Sequence, residues 1–140
     1  MANDNTNTTD IAFSTTSTMS TPKALSTTSR FEFDAITIHA DAVAASLTVT
    51  LDNPGTPASG DYVDLQIKYS ADGTNYDTDE HAIYLPRMDT YGSNDPGEDP
   101  CTRTFSLRVA GKQKFKLVAK SAQSTRQITL AAIYNELRSA

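Results

Sequence analysis

The sequence has 140 residues, of which 38% are hydrophobic, and a formal net charge of −5. This length fits one domain with a single hydrophobic core, and the negative charge argues against a protein whose main task is to bind nucleic-acid phosphates. Cys101 is the only cysteine. An intrachain disulfide, a CxxC redox pair and a cysteine-rich zinc site are therefore excluded.

Residues 1–29 are dominated by Thr, Ser and Asn. No basic cluster precedes an apolar run at the start of the chain, so we expect synthesis in a cytoplasm with neither a secretory signal nor a membrane anchor. So few apolar groups cannot offset the entropy of ordering the segment alone, which predicts an extended N-terminal arm, disordered in solution. Unless it is an inert tail, its apolar residues would anchor it to a neighbouring subunit: Ile11, Phe13, Met19 and Leu25.

Short alternating apolar runs begin at Arg30. In residues 31–38 the apolar side chains occupy odd positions up to Ala35 and even positions from Ile36. This change predicts a strand with a bulge or one that crosses between sheets. Residues 47–51 predict a strand with one wet face, and the Pro- and Gly-rich residues 52–60 predict turns. The clearest strand is residues 63–69, where four apolar side chains alternate with polar ones: Val63, Leu65, Ile67 and Tyr69.

Asp72-Gly73 interrupts this pattern and predicts the turn of a hairpin, because Gly adopts positive φ at low cost and Asp hydrogen-bonds its own following backbone. The alternative is a calcium loop, for which the segment offers several oxygen ligands: Asp72, Asn75, Asp77, Asp79 and Glu80. Their spacing does not match an EF-hand, and the same holds for the acids of residues 89–99. The turn is therefore the preferred interpretation, and we expect no metal.

The second half of the body contains further strands. Ile83 and Leu85 predict a strand that ends near Pro86, and residues 89–100 predict a long polar loop. Residues 105–109 and 115–119 alternate on either side of Ala110-Gly111, which predicts a hairpin. Residues 126–137 are apolar on both parities, which predicts a strand buried on both sides, with a short helical ending as the alternative.

About seven strands joined by turns rather than by helices predict an all-β fold, an antiparallel β-sandwich or jelly roll. We assign residues 1–29 to the arm and residues 30–140 to this domain.

No catalytic pattern is present. His39 and His81 have no nucleophile or carboxylate at a recognisable catalytic spacing, and adjacent acids such as Glu98-Asp99 usually face water. We expect a protein that is not an enzyme and has no cofactor.

Two sets of side chains are candidates for partner binding. Lys114 and Lys116 alternate with Phe115 and Leu117, so we expect them to share an exposed face. They would either dock onto an acidic surface or protect an edge strand against aggregation. Exposed tyrosines such as Tyr84 and Tyr91, with the acidic residues 89–100, favour a different function, a carbohydrate- or receptor-binding sandwich.

The Ser/Thr-rich arm, an all-β body containing DLQIKYSADGTNY, and the absence of cysteines beyond Cys101 together resemble the small virion proteins of tailed bacteriophages. The similarity is greatest to head decoration or cement proteins. YSADGTNY is similar to a strand-turn-aromatic segment that recurs in β-sandwich modules of phage and bacterial surface proteins.

The resemblance implies a homotrimer on the capsid exterior that binds the major capsid protein and stabilises its lattice, with arms reaching neighbouring subunits. The net charge of −5 and the lack of a membrane anchor predict neither a nucleic-acid partner nor a membrane partner. A tail component is the remaining alternative within the same class of virion proteins.

Overall fold

The computed structural model describes residues 11–18, 23–25, 30–52, 60–89, 101–122 and 128–139, with the backbone alone for residues 11–18. These residues form antiparallel strands and one short 3-10 helix, Asp79–His81. The strands are β1 (Ile11–Thr18), β2 (Lys23–Leu25), β3 (Arg30–Glu32), β4 (Ile36–Thr37), β5 (Ala42–Asp52), β6 (Tyr62–Ser70), β7 (Ile83–Tyr84), β8 (Met88–Asp89), β9 (Cys101–Leu107), β10 (Lys114–Ala122) and β11 (Ile128–Ser139).

The strands belong to two sheets that pack as a sandwich. Sheet A has the order β1-β11-β5-β9, and β2 also pairs with β11. Sheet B has the order β3-β10-β6-β7, and its short strands β4 and β8 pair with β10 and β6. The core lies between the sheets, where the ring of Phe115 from sheet B is 5.1 Å from the ring of Tyr134 from sheet A. The predicted antiparallel β-sandwich is confirmed.

Strict alternation identified the central strands correctly, because each has one face on the core. In β5, Leu47, Val49 and Leu51 are completely buried. The predicted inward residues of β6 are buried as well, from Val63 to Tyr69. Residues 31–38 also behave as predicted, since β3 and β4 are separated by residues 33–35 along the same neighbour, β10.

The predicted hairpin between residues 105 and 119 is wrong. β9 pairs with β5 in sheet A, whereas β10 pairs with β3, β4 and β6 in sheet B. The chain turns at Ala110-Gly111, where the N–H of Lys112 donates to the carbonyl of Val109 at 3.1 Å, and then crosses to the opposite sheet. Both arrangements bury one face of each strand, so alternation alone does not distinguish a hairpin from a crossing between sheets.

Strand β11 is confirmed, but its predicted burial on both sides is wrong. Its inward residues alternate with half-buried ones, and Ile133 is 41% exposed. The strand continues to Ser139, so the helical alternative for its ending is wrong as well. β11 is nevertheless central in sheet A, with β5 on one side and β1 and β2 on the other.

Part of the predicted arm joins this sheet within the same chain. β1 pairs with β11 from Ile11 opposite Ser139 to Thr18 opposite Ile133, and β2 pairs with residues 128–130. Leu25 is 1% exposed in the core. Attachment of residues 1–29 to a neighbouring subunit stays a prediction, and in this conformation Leu25 already packs within its own chain.

None of the helical residues in the described ranges forms a segment long and apolar enough to span a membrane.

Candidate functional site

The two outer faces of the sandwich differ in chemistry. The outward positions of sheet B carry charges of both signs on three adjacent strands: Arg30 and Glu32 on β3, Lys114, Lys116 and Lys120 on β10, and Asp64 and Lys68 on β6. The outward positions of sheet A are uncharged over most of their length.

The segment after β6 begins with a turn built by Asp72. Its carboxylate accepts the backbone N–H groups of Thr74 and Asn75 at 2.8 and 2.7 Å, and the hydroxyl of Ser70 at 3.1 Å. These hydrogen bonds, with that of Asn75 the strongest, hold the pKa of Asp72 well below its usual range. Gly73 has a φ of 82°, which favours glycine. The turn interpretation is confirmed, although the hairpin loop is long, because β7 begins only at Ile83.

Other acids of the proposed calcium loop also bind protein groups. The carboxylate of Asp77 accepts the backbone N–H of Tyr69 at 3.1 Å. The carboxylate of Asp79 forms ion pairs with the side chains of Arg30 and Lys68. In the described part of the chain, no three His, Cys, Asp or Glu side chains form a group that could hold a metal ion. The other acidic candidates, Asp95, Glu98 and Asp99, lie outside the described residues.

Asp79 ties this loop to the outer face of sheet B. Its Oδ1 accepts hydrogen bonds from Arg30 of β3 at 2.7 Å and from Lys68 of β6 at 3.1 Å. Since β10 lies between those strands, the carboxylate spans the central strand. The hydrogen bond from Lys68 and the charge of Arg30 lower the pKa of Asp79. Val118, on the outer face of β10, is only 1% exposed, which shows that this part of the face is covered.

Lys116, predicted to be an exposed docking residue, is engaged within the chain. Its ammonium donates to Glu32 at 3.1 Å and lies 4.4 Å from the centre of the Tyr76 ring. Burial raises the pKa of Glu32, but Lys116 and Lys68 lower it by more, so the net shift is downward. Lys114 is half-buried between the backbones of Thr37 and Ser70. Because β10 is a central strand, the edge-protection alternative is wrong. Docking through these lysines stays a prediction.

A groove of about 390 Å³ lies on the same face, beside the loop. Its lining includes Gln66, Val118 and Tyr84 of β7. The charged residues Arg30, Asp64, Asp79, Glu80 and Lys120 line it as well. Tyr84 is 69% exposed, so the residue is accessible to a ligand. Tyr91, the other tyrosine of the carbohydrate-binding hypothesis, lies outside the described residues.

Twelve outward positions of sheet A, on β5, β9 and β11, are uncharged: Ala44, Ser46, Thr48, Thr50, Thr102, Thr104, Ser106, Thr129, Ala131, Ile133, Asn135 and Leu137. The first charged residue on this face is Asp52, at the end of β5. Protein surfaces carry charge at about a quarter to a third of their positions. About three or four charges would be usual here, so their absence from these positions needs a reason.

Hydroxyl groups on this face bond to one another across the strands. The Oγ1 atoms of Thr48 and Thr104 are 3.0 Å apart, and those of Thr50 and Thr102 are also 3.0 Å apart. Such pairs satisfy part of the polarity of the face internally and hold it in one conformation. Ile133, opposite Thr48 on the neighbouring strand, adds an exposed apolar side chain. We call this surface the uncharged face.

One buried carboxylate escaped the sequence analysis. Glu136 points inward from β11 with 2% exposure and accepts from Tyr134 Oη at 2.8 Å, Arg138 Nε at 2.6 Å and the backbone N–H of His39 at 3.3 Å. Alternation along β11 predicts that Glu136 points inward. The sequence does not show which groups would hydrogen-bond its carboxylate there, because His39 comes from a distant part of the chain. Of the two histidines, His39 accepts the N–H of Asp41 through Nδ1, and His81 is exposed beside Glu80.

The chain was also compared with known proteins. No protein-family model matches the sequence, and no curated protein matches it either. Structures of infectious bursal disease virus strains Gx and Gt contain a chain whose backbone is partly similar to this one. The TM-scores are 0.43 and 0.41, and the sequence identity is 9% in each case. The match covers 93% and 90% of this chain but 31% of each viral chain, so this chain spans about a third of their length. Similarity of this degree identifies neither a family nor a function.

Proposed function

We propose that this protein is a non-enzymatic structural protein of a virion. In this proposal it is a homo-oligomeric decoration or cement protein that attaches to the major capsid lattice through the uncharged face of sheet A. The virion assignment rests on the resemblance of the arm and of the YSADGTNY segment. The mode of attachment rests on the structure, and the absence of charge from twelve neighbouring positions is the observation that carries it.

Depletion of charge is what distinguishes the centre of a protein interface from ordinary surface. A charged side chain that becomes buried at an interface without a partner costs several kcal/mol, whereas Thr, Ser and Ala lose little on burial. The hydroxyl pairs at Thr48 and Thr50 are already formed, so in each pair only one of the two hydroxyl protons needs a new acceptor when water leaves. Ile133 contributes apolar area near the centre of the face.

The mechanism we propose is multivalent attachment. Each subunit would make a moderate contact, and an oligomer of three would bind the lattice through three such contacts at once. The second and third contacts are then intramolecular, so the apparent affinity greatly exceeds that of a single subunit. A lattice held at several neighbouring points resists expansion or rupture. Arm residues such as Ile11 and Phe13 would add contacts to a neighbour.

The test places a charge on the uncharged face. Thr104→Lys changes an exposed residue at its edge, and Thr37→Lys changes an exposed threonine of sheet B as the matched control. Cosedimentation with capsids of the encoding virus that lack this protein measures attachment. We expect Thr104→Lys to weaken attachment at least tenfold, about 1.4 kcal/mol per subunit, and Thr37→Lys to bind as the unmodified protein does.

Equal attachment by both variants would remove the uncharged face from the proposal. No attachment of the unmodified protein to such capsids would refute the decoration role itself. Native mass spectrometry of the free protein measures the subunit count, and closed trimers are expected. Large rings would favour a tail component instead.

A further inference from the structure

We propose that the groove on the outer face of sheet B binds a neutral saccharide. This inference is independent of the uncharged face, because it concerns the opposite side of the sandwich. The volume of about 390 Å³ lies near the lower end of the range of roughly 300 to 1,000 Å³ that small-molecule sites occupy.

Two of the acids that line the groove, Asp79 and Asp64, are paired with arginines, whereas Glu80 and Lys120, which also line it, carry one further charge of each sign. Arg30 donates to Asp79 at 2.7 Å, and the guanidinium of Arg87 donates to both carboxylate oxygens of Asp64, at 2.8 and 3.2 Å. The two lining charges outside these pairs, on Glu80 and Lys120, have opposite signs, so the groove offers no excess charge of one sign to an anion or a cation. The lining therefore disfavours a ligand that is recognised through a single strong charge.

Four lining groups remain available for hydrogen bonds to a ligand, those of Gln66, Tyr84, Lys120 and Glu80. Gln66, Tyr84 and Lys120 make no side-chain hydrogen bond to another residue in the described ranges. Gln66 offers an amide donor and acceptor, Lys120 offers donors, and the Tyr84 hydroxyl does both. Sugar hydroxyls also donate and accept, so they match such a mixed set. The paired carboxylates keep lone pairs for further donors.

Tyr84 supplies the feature most specific to a sugar. Tyr84 is 69% exposed and lines the groove from the short strand β7, where it pairs with Gln66. The C–H face of a pyranose packs on an aromatic ring, while its equatorial hydroxyls reach the polar groups around it. An exposed aromatic beside planar polar side chains thus offers both contacts that a saccharide needs.

The two outer faces of a sandwich point in opposite directions. A protein attached to a lattice through sheet A would present this groove to the surrounding medium. The proposed site is therefore placed where a glycan outside the particle could reach it.

The test is an NMR titration of the full chain with three neutral probes: maltotriose, N,N′-diacetylchitobiose and mannotriose. Each is added to about 50 mM, because a single sugar contact is expected to have a millimolar dissociation constant. We expect at least one probe to shift the amide resonances of residues 64–66, 79–84 and 118–120 in a saturable manner.

Variants of β7 distinguish stacking from a general change in the fold. Tyr84→Ala should raise the dissociation constant about tenfold. Tyr84→Phe keeps the aromatic ring, so its dissociation constant should stay within about threefold of that of the unmodified chain. Ile83→Ala changes the exposed neighbour of Tyr84 and should bind as the unmodified chain does.

Three results would overturn the proposal: no groove shift with any probe, equal binding by Tyr84→Ala, or stronger groove shifts with inorganic phosphate than with the sugars. Thr104→Lys should leave the titration unchanged. Failure of sugar binding and failure of attachment through sheet A are thus separate outcomes.

Discussion

Glu136 shows how a single residue of this sandwich is held in an unfavourable place. Burial raises its pKa, but hydrogen bonds from Arg138, Tyr134 and the His39 backbone together lower it by more, so the pKa lies below its ordinary value of 4.5. Burial, and in second place the hydrogen bond to Glu136, raise the pKa of the Tyr134 hydroxyl. The carboxylate joins β11 to the chain at His39, just before β5.

We expect Glu136→Gln to lower the free energy of unfolding by about 2 kcal/mol at neutral pH, because hydrogen bonds to a charged acceptor are lost. Urea denaturation measures this difference, and the exposed Glu80→Gln is the control. Equal stability of the two variants would mean that the buried network contributes nothing.

The pH dependence follows from the direction of this shift. Because the pKa of Glu136 is lower in the folded state, its ionised carboxylate stabilises the fold at pH values above its unfolded-state pKa of about 4.5. This stabilisation is lost as the pH falls toward the folded-state pKa. The difference in unfolding free energy between the unmodified chain and Glu136→Gln should therefore shrink on acidification below that pH. A constant difference would contradict a lowered pKa.

At the turn that follows β6, Asp72→Ala removes the acceptor of two backbone N–H groups. We expect the amides of Thr74 and Asn75 to exchange with solvent markedly faster, while those of central β6 keep their protection. Hydrogen exchange followed by NMR makes the measurement. Unchanged exchange at both amides would show that the carboxylate does not hold the turn.

At the scale of elements, pairing partners decide what each strand contributes. β10 lies between β6 and the pair β3 and β4, so its lysines lie on a central strand and one of them, Lys116, is held by Glu32. β2 is only Lys23–Leu25, yet it places a leucine in the core against β11. A segment whose composition predicts disorder thereby gains order from the sheet beside it.

Leu25→Ala tests this placement. A buried leucine that is truncated to alanine costs about 2 to 5 kcal/mol, and Leu130→Ala of β11, also buried, sets the scale for this core. We expect the two variants to lose similar stability in thermal or urea unfolding, whereas the exposed Ile133→Ala loses little. No loss for Leu25→Ala would show that β2 does not pack on its own sheet in solution.

At the scale of the whole molecule, the sandwich separates an uncharged face from a charged one. Attachment through the uncharged face should change little as sodium chloride rises from about 0.05 to about 0.5 M, because screening acts on charges. Attachment through Lys114 and Lys116 should weaken strongly over the same range. Cosedimentation at several salt concentrations therefore distinguishes the structural proposal from the lysine docking that the sequence predicts.

The sequence alone determined the fold class and the inward residues of the central strands, because burial of one face imposes a period of two on any such strand. It also determined the turn at Asp72-Gly73, where the bonds are local. The partner of each strand, the crossing between β9 and β10 and the burial of Glu136 and Leu25 depended on the tertiary structure. So did the two outer faces, because neighbours on a sheet come from distant parts of the chain and alternation is the same whichever strand lies alongside.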